Sequence, residues 1–461
     1  MLRKVRIILA VVFLAGITLL FIGTGYQWLG WMAKLQFLPA CLGYNLAVIA
    51  GILLLTLLLG RIYCSVICPM GVFQDCVNHL SSLRKGKSHR FKFHKENRAL
   101  RDLVLALFLI ALLFGAQWFV VIVAPYSAYG RMISAVVNPS SATAIIVAAV
   151  TFAVIFLFAW LWGREWCNSI CPVGTVLSLF SRFSLFRPVI DENACVNCHS
   201  CEKKCKASCI DSESRKIDYS RCVDCFDCID NCKAGAIGYR FYPSFLKKGK
   251  REETPVDTGR RNFIVTAAVL GGAAIGAGAQ EKHLDGGLAE VVPKQIPPRT
   301  ERLVPFGSRS VKTFYDRCTG CQLCVNACPN GVLRPSTDLQ HLMQPEMSYE
   351  KGYCRPECNA CSQVCPSGAI LPVEAGQKLN MSIGKASVNL DLCLSATGEA
   401  SCGNCARHCP VGAILMVTGE GGRKIPTLVE NECTGCGACE FLCPTRPISA
   451  ITVNGCSVHY E

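Results

Sequence analysis

Apolar residues along this chain gather in long unbroken runs, without the polar position every third or fourth residue that marks a helix on the surface of a soluble core. Residues 7–22, 42–59, 103–123 and 142–162 hold no charged side chain in their interiors. About 20 such residues cross a hydrocarbon layer of ~30 Å as a helix, so the pattern predicts four membrane helices. A fifth run, 263–279, is shorter and made mostly of Ala, Gly and Val. It predicts a signal-anchor helix.

Charge orients these helices. Lys and Arg number 3 before the first run, 1 between the first and second, 9 before the third, 1 before the fourth and 17 before the fifth. By the positive-inside rule this alternation places the N-terminus in the cytoplasm. Tyr126 and Tyr129 then anchor an outer interface, as do Tyr26, Trp28 and Trp31, while Trp160 and Trp162 mark the inner one. The formal charge of +14 divides into +15 for residues 1–279 and −1 for 280–461. That distribution fits orientation and anionic membrane lipid, and gives no reason to expect nucleic acid as a partner.

The end of the second run reads GRIYCSVICPMG (60–71), and 103 residues later the end of the fourth reads GREWCNSICPVG (163–174). Two helices followed by GRxxCxxxCPxG, twice, is an internal repeat. It predicts that Cys64, Cys68, Cys167 and Cys171 meet at the inner membrane surface, as candidate redox or quinol-edge thiols. Two readings stay open. The four thiols serve one further metal or cluster, or two redox dithiols; alternatively the motifs are turns in which each Pro ends a helix.

The chain has 32 cysteines, of which 24 fall into six runs. Cys195, Cys198, Cys201 and Cys205 follow C-x2-C-x2-C-x3-C, and Cys222, Cys225, Cys228 and Cys232 repeat it. In this spacing three thiolates wrap one iron–sulfur cube and the fourth reaches a neighbouring cube. The rule predicts one cluster on Cys195, Cys198, Cys201 and Cys232, and a second on Cys222, Cys225, Cys228 and Cys205. The usual Pro after the fourth Cys is replaced by Lys206 and Lys233, positive charges expected to raise the cluster potentials. Four more runs follow, each trailed by Pro: Cys318, Cys321, Cys324, Cys328; Cys354, Cys358, Cys361, Cys365; Cys393, Cys402, Cys405, Cys409; and Cys433, Cys436, Cys439, Cys443. Zinc ribbons lack the third closely spaced Cys, and disulfides across an i to i+3 spacing are geometrically poor. Six [4Fe-4S] clusters are therefore expected on these 24 cysteines. The stretch CVNCH (195–199) matches a c-type haem signature, but its cysteines already belong to a cluster run, so His199 is expected to be a loop residue beside a cluster. Cys41, Cys76, Cys209 and Cys456 fit no run and read as ordinary thiols.

The fifth apolar run is preceded by TGRRNFIV (258–265), whose Arg260–Arg261 pair resembles a twin-arginine export signal. Metal binding is coupled to folding, so a domain carrying four clusters is expected to cross the membrane folded. Ala277-Gly278-Ala279 resembles a peptidase site.

Taken together, residues 1 to about 245 resemble the NapH-type membrane component of quinol dehydrogenases, with four helices, the cysteine pairs Cys64/Cys68 and Cys167/Cys171 and two cytoplasmic cluster runs. Residues 258–461 resemble the NapG/MauM-type periplasmic ferredoxin. The resemblance implies a bacterial inner-membrane protein that takes electrons from quinol and hands them to a periplasmic reductase or carrier. By the same analogy the first C-terminal run pairs with the fourth, and the second with the third, in two βαββαβ-like units. The expected fold class is an α-helical membrane domain, four helices plus a fifth signal-anchor helix, with small α+β ferredoxin-like domains on both sides. Its parts are a membrane domain 1–187, a cytoplasmic two-cluster domain 188–245, a basic linker 246–262, the fifth helix 263–279 and a periplasmic four-cluster domain 280–461.

The predicted spans hold no haem ligand, no interior acid or Lys, and no cysteine except Cys41 near an outer end. They suggest neither an electron wire nor a proton relay, leaving a mobile quinone as carrier. No substrate-shaped catalytic constellation is visible, so chemistry beyond electron transfer belongs to partners. The alternative is an assembly or redox-sensing factor for a periplasmic metalloenzyme, with clusters used structurally.

Overall fold

The structure is a computed structural model and describes residues 1–23, 25–85, 91–139, 141–242, 292–419 and 422–460. The linker 246–262 with Arg260 and Arg261, and the fifth apolar run 263–279, lie outside these residues.

The N-terminal part is helical: α1 (Leu2–Phe21), α2 (Tyr26–Lys34), α3 (Phe37–Leu42), α4 (Leu46–Leu59), α5 (Ile62–Val66), α6 (Pro69–Lys85), α7 (Arg98–Leu113), α8 (Gln117–Val123), α9 (Pro125–Val137), α10 (Ala142–Trp162) and α11 (Pro172–Ser181). Two of these, α1 and α10, are long and apolar enough to cross a membrane. The other two predicted spans differ from expectation. Run 42–59 yields the 14-residue α4 preceded by the separate α3. Run 103–123 is not one helix, because Gly115 takes φ +72° and closes α7, and α8 bends by 78° into α9 at Pro125. A left-handed glycine ends a helix readily, and Pro supplies no N–H to continue one. Tyr126 and Tyr129, expected at an interface, lie on α9 and are buried.

The repeat is visible as structure. Gly60 closes α4 and Gly163 closes α10, both with positive φ. A short turn of helix follows each, α5 in the first half and the π-turn Trp166–Ile170 in the second. Pro69 and Pro172 then begin α6 and α11. Each Pro therefore starts a helix, where its fixed φ and missing N–H cost nothing, and does not end one.

Residues 186–241, which lie between the helices and the C-terminal part in sequence and are called the inner unit on that account, form β1 (Phe186–Ile190), α12 (Ser200–Lys204), β2 (Ile210–Asp211), β3 (Lys216–Ile217), α13 (Asp227–Asn231) and β4 (Ile237–Phe241). β1 pairs with β4 and β2 with β3, all antiparallel. The C-terminal part contains α14 (Val311–Arg317), α15 (Leu323–Ala327), β5 (Leu333–Pro335), β6 (Pro345–Met347) and α16 (Ala360–Val364), then β7 (Ser382–Val388), α17 (Leu394–Thr397), α18 (Asn404–Arg407), β8 (Ile414–Thr418), β9 (Lys424–Leu428), α19 (Ala438–Leu442) and β10 (Ile451–Tyr460). There β7 pairs with β10 and β8 with β9, repeating the inner unit's nesting of one hairpin inside a pair.

These two units dock at opposite ends of α1. In its first turn Arg3 bonds Asp227 (2.8 Å) and Asp230 (2.9 Å) of the inner unit. At its last residue the carbonyl of Phe21 accepts from Asn326 Nδ2 of the C-terminal unit (2.7 Å). A 20-residue helix is about 30 Å long, which sets the scale of their separation. The C-terminal unit rests on α9 through Gly130, where an added Cβ would stand 2.5 Å from the Cys321 carbonyl. Ser134 bonds Asn326 there (2.9 Å).

Candidate metal centres

In the run C-x2-C-x2-C the backbone turns the same way wherever the spacing is unstretched. Asn197 and His199, Asp224 and Phe226, Gly320 and Gln322, and Gly435 and Gly437 all take positive φ, at the two residues that flank the second cysteine. Alternating left-handed residues turn successive N–H groups to one side, the concave nest that anions and iron–sulfur groups occupy. An example is the Gly320 N–H on Cys318 Sγ (3.5 Å). A short helix begins one residue before the third cysteine of each such run: α12, α13, α15 and α19.

The cysteines converge in sets. Cys195, Cys198, Cys201 and Cys232 line one cavity, with His199 beside them. Cys205, Cys222, Cys225 and Cys228 line the next. In the C-terminal unit Cys328 joins Cys354, Cys358 and Cys361, and Cys365 is the electrostatic neighbour of Cys318, Cys321 and Cys324. Cys443 joins Cys393, Cys402 and Cys405, and Cys409 neighbours Cys433 and Cys436, which neighbour Cys439. Runs one and two of the chain therefore exchange their fourth cysteines, as do runs three and four, and runs five and six. The first-with-fourth and second-with-third pairing is corrected. The physical reason is that α15 packs on α16 and α18 on α19, so each run meets its neighbour in sequence.

These sets suit a multinuclear group and not a single ion. Among the described residues no three His, Cys, Asp or Glu side chains converge closely enough to hold one metal ion. The four cavities have mostly apolar walls. Burial pushes the thiols of Cys201, Cys321, Cys354 and Cys405 up to about 11, so loading such a site displaces protons as thiolates form. Lys378 Nζ stands 3.2 Å from Cys354 Sγ and partly offsets that burial.

Two features escaped sequence reasoning. Cys209 is no bystander: its sulfur lies 3.4 Å from Cys205 Sγ, on the wall of the same cavity. Lys206, where the run's usual Pro is missing, bonds Asp75 (3.3 Å) and Asp227 (2.9 Å). Asp75 also pairs with Arg164 (2.7 Å) and Arg6. Lys206 thus ties the inner unit to α1, α6 and the second GRxxCxxxCPxG motif, which proline could not do.

The motif cysteines are buried within the protein: Cys64, Cys68, Cys167 and Cys171 are 5 %, 6 %, 4 % and 4 % exposed. They are electrostatic neighbours of one another. The two motifs exchange arginines: Arg61 donates to the Cys167 carbonyl (3.3 Å) and to Asn168 Oδ1 (2.9 Å), while Arg164 donates to the Cys64 carbonyl (2.8 Å). Gly71 and Gly174 make room for this crossing, since a Cβ at either would strike the carbonyl of Cys64 or Cys167.

Cysteine nests in hairpin-nested α+β units define an iron–sulfur protein of ferredoxin type. Segments 317–385, 400–446 and 218–332 match families described as 4Fe-4S dicluster domains, and segments 43–88 and 144–190 match a 4Fe-4S binding domain. The ferredoxin-type protein NapF of Escherichia coli (strain K12) is 32 % identical over 138 residues, 30 % of this chain and 77 % of that protein. The ferredoxin-type protein NapG of the same organism is 33 % identical over 31 % of this chain and 66 % of its own length. The methylamine utilization ferredoxin-type protein MauM of Methylobacillus flagellatus is 31 % identical over 32 % of this chain and 65 % of its own. The chain belongs to the ferredoxin-type 4Fe-4S family that includes NapF.

Proposed function

We propose that this chain is a membrane-bound electron carrier that takes electrons from quinol on the cytoplasmic side and delivers them to a periplasmic reductase or carrier. In this reading a NapH-type membrane part and a NapG/MauM-type ferredoxin share one polypeptide. The observation that carries it is the docking of the inner and C-terminal units at opposite ends of α1, an apolar helix of membrane-spanning length. The 24 run cysteines would hold six [4Fe-4S] clusters, which supply one-electron carriers. The periplasmic destination is argued from the likeness to NapG and MauM, and from the Arg260–Arg261 pair.

The quinol site in this reading is a cleft at the inner end of α1. Its apolar wall includes Ile7, Val11 and Val72, and its polar side includes His79, Lys206 and Asp227. The apolar wall suits a quinol ring and tail. Oxidation of quinol to quinone releases two electrons and two protons. Lys206 adjoins Cys205, and the exposed imidazole of His79 lines the same open cleft, through which the protons can leave to solvent.

The test is a redox titration of purified protein with a quinol analogue, followed by EPR. Rapid reduction supports the carrier, and clusters inert to every quinol analogue would refute it. Sidedness is tested by protease access in spheroplasts. Replacing Arg260 and Arg261 by Lys should shield residues 280–461, which should be cleaved in the parent chain; equal cleavage in both would overturn the export route.

A further inference from the structure

We infer that α9 tunes the reduction potential of the C-terminal unit's first cluster. Two buried side chains of the helical part, Arg131 and Tyr126, face the set formed by Cys318, Cys321, Cys324 and Cys365, and they raise the potential of the group it holds. The inference rests on reading the chain as an electron carrier, and it makes this cluster the one at which the C-terminal unit accepts electrons beside the helices.

The elbow between α8 and α9 clasps the second cysteine of the run from two sides. A Cβ on Gly320 would stand 2.7 Å from Val121 Cγ1 of α8, and one on Gly130 of α9 would stand 2.5 Å from the Cys321 carbonyl. Arg131, the next residue along α9, is fully buried. Its Nη1 donates to the Val121 carbonyl (2.5 Å) and its Nη2 to the Ile122 carbonyl (3.3 Å). In a continuous helix the N–H of residue 125 would take the first of these carbonyls, and Pro125 has none. The guanidinium therefore caps the broken end of α8. That use satisfies two donors but sets a full charge against the partial charges of a helix end. Among the described residues Arg131 has no carboxylate partner. The ionisable group that acts on it is the Cys321 thiol, and its Nε bonds nothing. A cation buried without a counter-charge is costly.

Tyr126, in the first turn of α9, is a second orphan. It is buried, its hydroxyl has no hydrogen-bond partner, and its charged neighbours are Cys321 and Cys365, one from each run that contributes to this set. A cap explains the two carbonyl bonds of Arg131. It explains neither the choice of a charged side chain over a neutral donor nor the Tyr126 hydroxyl. Both orphans have one answer in an iron–sulfur cube on four thiolates, which is anionic and gains a further negative charge on reduction. A nearby cation and a hydroxyl directed at the cluster each favour the reduced form, so both raise the potential. The neighbouring set has a cation from its own unit, Lys378 at 3.2 Å from Cys354 Sγ; here the helices supply it. Passage through the cluster is a one-electron reduction followed by a one-electron oxidation, with no bond made or broken.

The test is an equilibrium redox titration of the full chain, purified without oxygen, using chemical mediators and no quinol. EPR follows the signal that Cys324→Ser removes. Arg131→Gln should make that cluster at least tenfold harder to reduce, a fall of about 59 mV for one electron. Arg131→Lys, which keeps the charge without the forked contacts, should recover most of the loss, and Tyr126→Phe should lower the potential by less. Signals of the inner unit should stay at their parent potentials in all three variants. A Gln variant that keeps the cluster at the parent potential overturns the inference. So does a Lys variant lowered as far as the Gln one, because a cap and not a charge would then be at work. Where the Gln variant comes without the cluster, Tyr126→Phe decides, since it removes an atom that bonds nothing within the chain: an unchanged potential overturns the inference and a lowered one upholds it. The carrier reading fails separately, if quinol analogues leave the clusters oxidised while these variants shift the potential as expected.

Discussion

Replacing Asp75 by Asn removes one carboxylate that three cations share. Arg164 is fully buried in side chain, Lys206 11 % exposed and Asp75 10 %. Breaking a buried ion pair by removing one partner costs about 3–5 kcal/mol. The losses do not simply multiply by three. Lys206 keeps Asp227 at 2.9 Å, whereas Arg164 keeps only the Cys64 carbonyl at 2.8 Å. We therefore expect about 3–5 kcal/mol in all, a large share of the ~5–15 kcal/mol that holds a typical domain. The assay is thermal loss of the visible iron–sulfur absorption in detergent without oxygen, with the inner and C-terminal sets resolved by EPR of quenched samples. The inner sets should be lost first, while the C-terminal sets persist as in the parent chain. Combining Asp75→Asn with Arg164→Met should cost less than the sum of the single changes, by about 0.5–3 kcal/mol. A loss below about 1 kcal/mol for the single change, or strict additivity in the pair, would show that the network does not couple the helices to the inner unit.

Three further outcomes are expected. Glu440→Ala strands Arg299, which it binds through both oxygens (2.7 and 3.2 Å), and the Val453 N–H (2.7 Å); denaturant titration should find the C-terminal unit weaker by about 3–5 kcal/mol, and Arg299→Met should recover part of it. Gly130→Ala would set a methyl group 2.5 Å from the Cys321 carbonyl and 2.6 Å from the Phe21 ring, costing about 1–3 kcal/mol and raising hydrogen exchange in α15, with no change in exchange at α12 and α13. Cys225→Ser should remove iron from the inner unit and leave the C-terminal sets filled, as iron analysis with EPR would read out.

What the sequence disclosed was local and periodic. The x2-x2-x3 spacing, by placing three thiols around one tight turn, shows which cysteines group, and it also predicts the crossing of Cys205 and Cys232, because their runs adjoin. It does not say which of four runs are neighbours when the intervals are longer, and there analogy misled: helix packing, α15 on α16, settles the exchange. Hydropathy found α1 and α10 but joined α7 to α8, since a single Gly115 in an apolar run leaves the average untouched. Nor does hydropathy report depth for a segment of mixed polarity. GRIYCSVICPMG contains an arginine and reads as a boundary, yet Arg61 is buried because Asn168, Ser220 and Cys167 answer its donors from elsewhere in the chain. Lys206 and Cys209 look like departures from a pattern until partners distant in sequence stand beside them.

The exchange of arginines between the two GRxxCxxxCPxG motifs has the form of an isologous contact, in which patch i touches j and j touches i, as in a two-fold dimer. Each half supplies what the other lacks, so neither motif is complete alone. Joining them in one chain holds the second half at an effective concentration in the millimolar range or above, and the site then forms however dilute the protein. An ancestor with one copy would have needed a second molecule to finish the same site. The duplication makes a pairwise encounter part of folding, and afterwards frees the two halves to diverge, one keeping Asp75 on α6 and the other its π-turn at Trp166–Ile170.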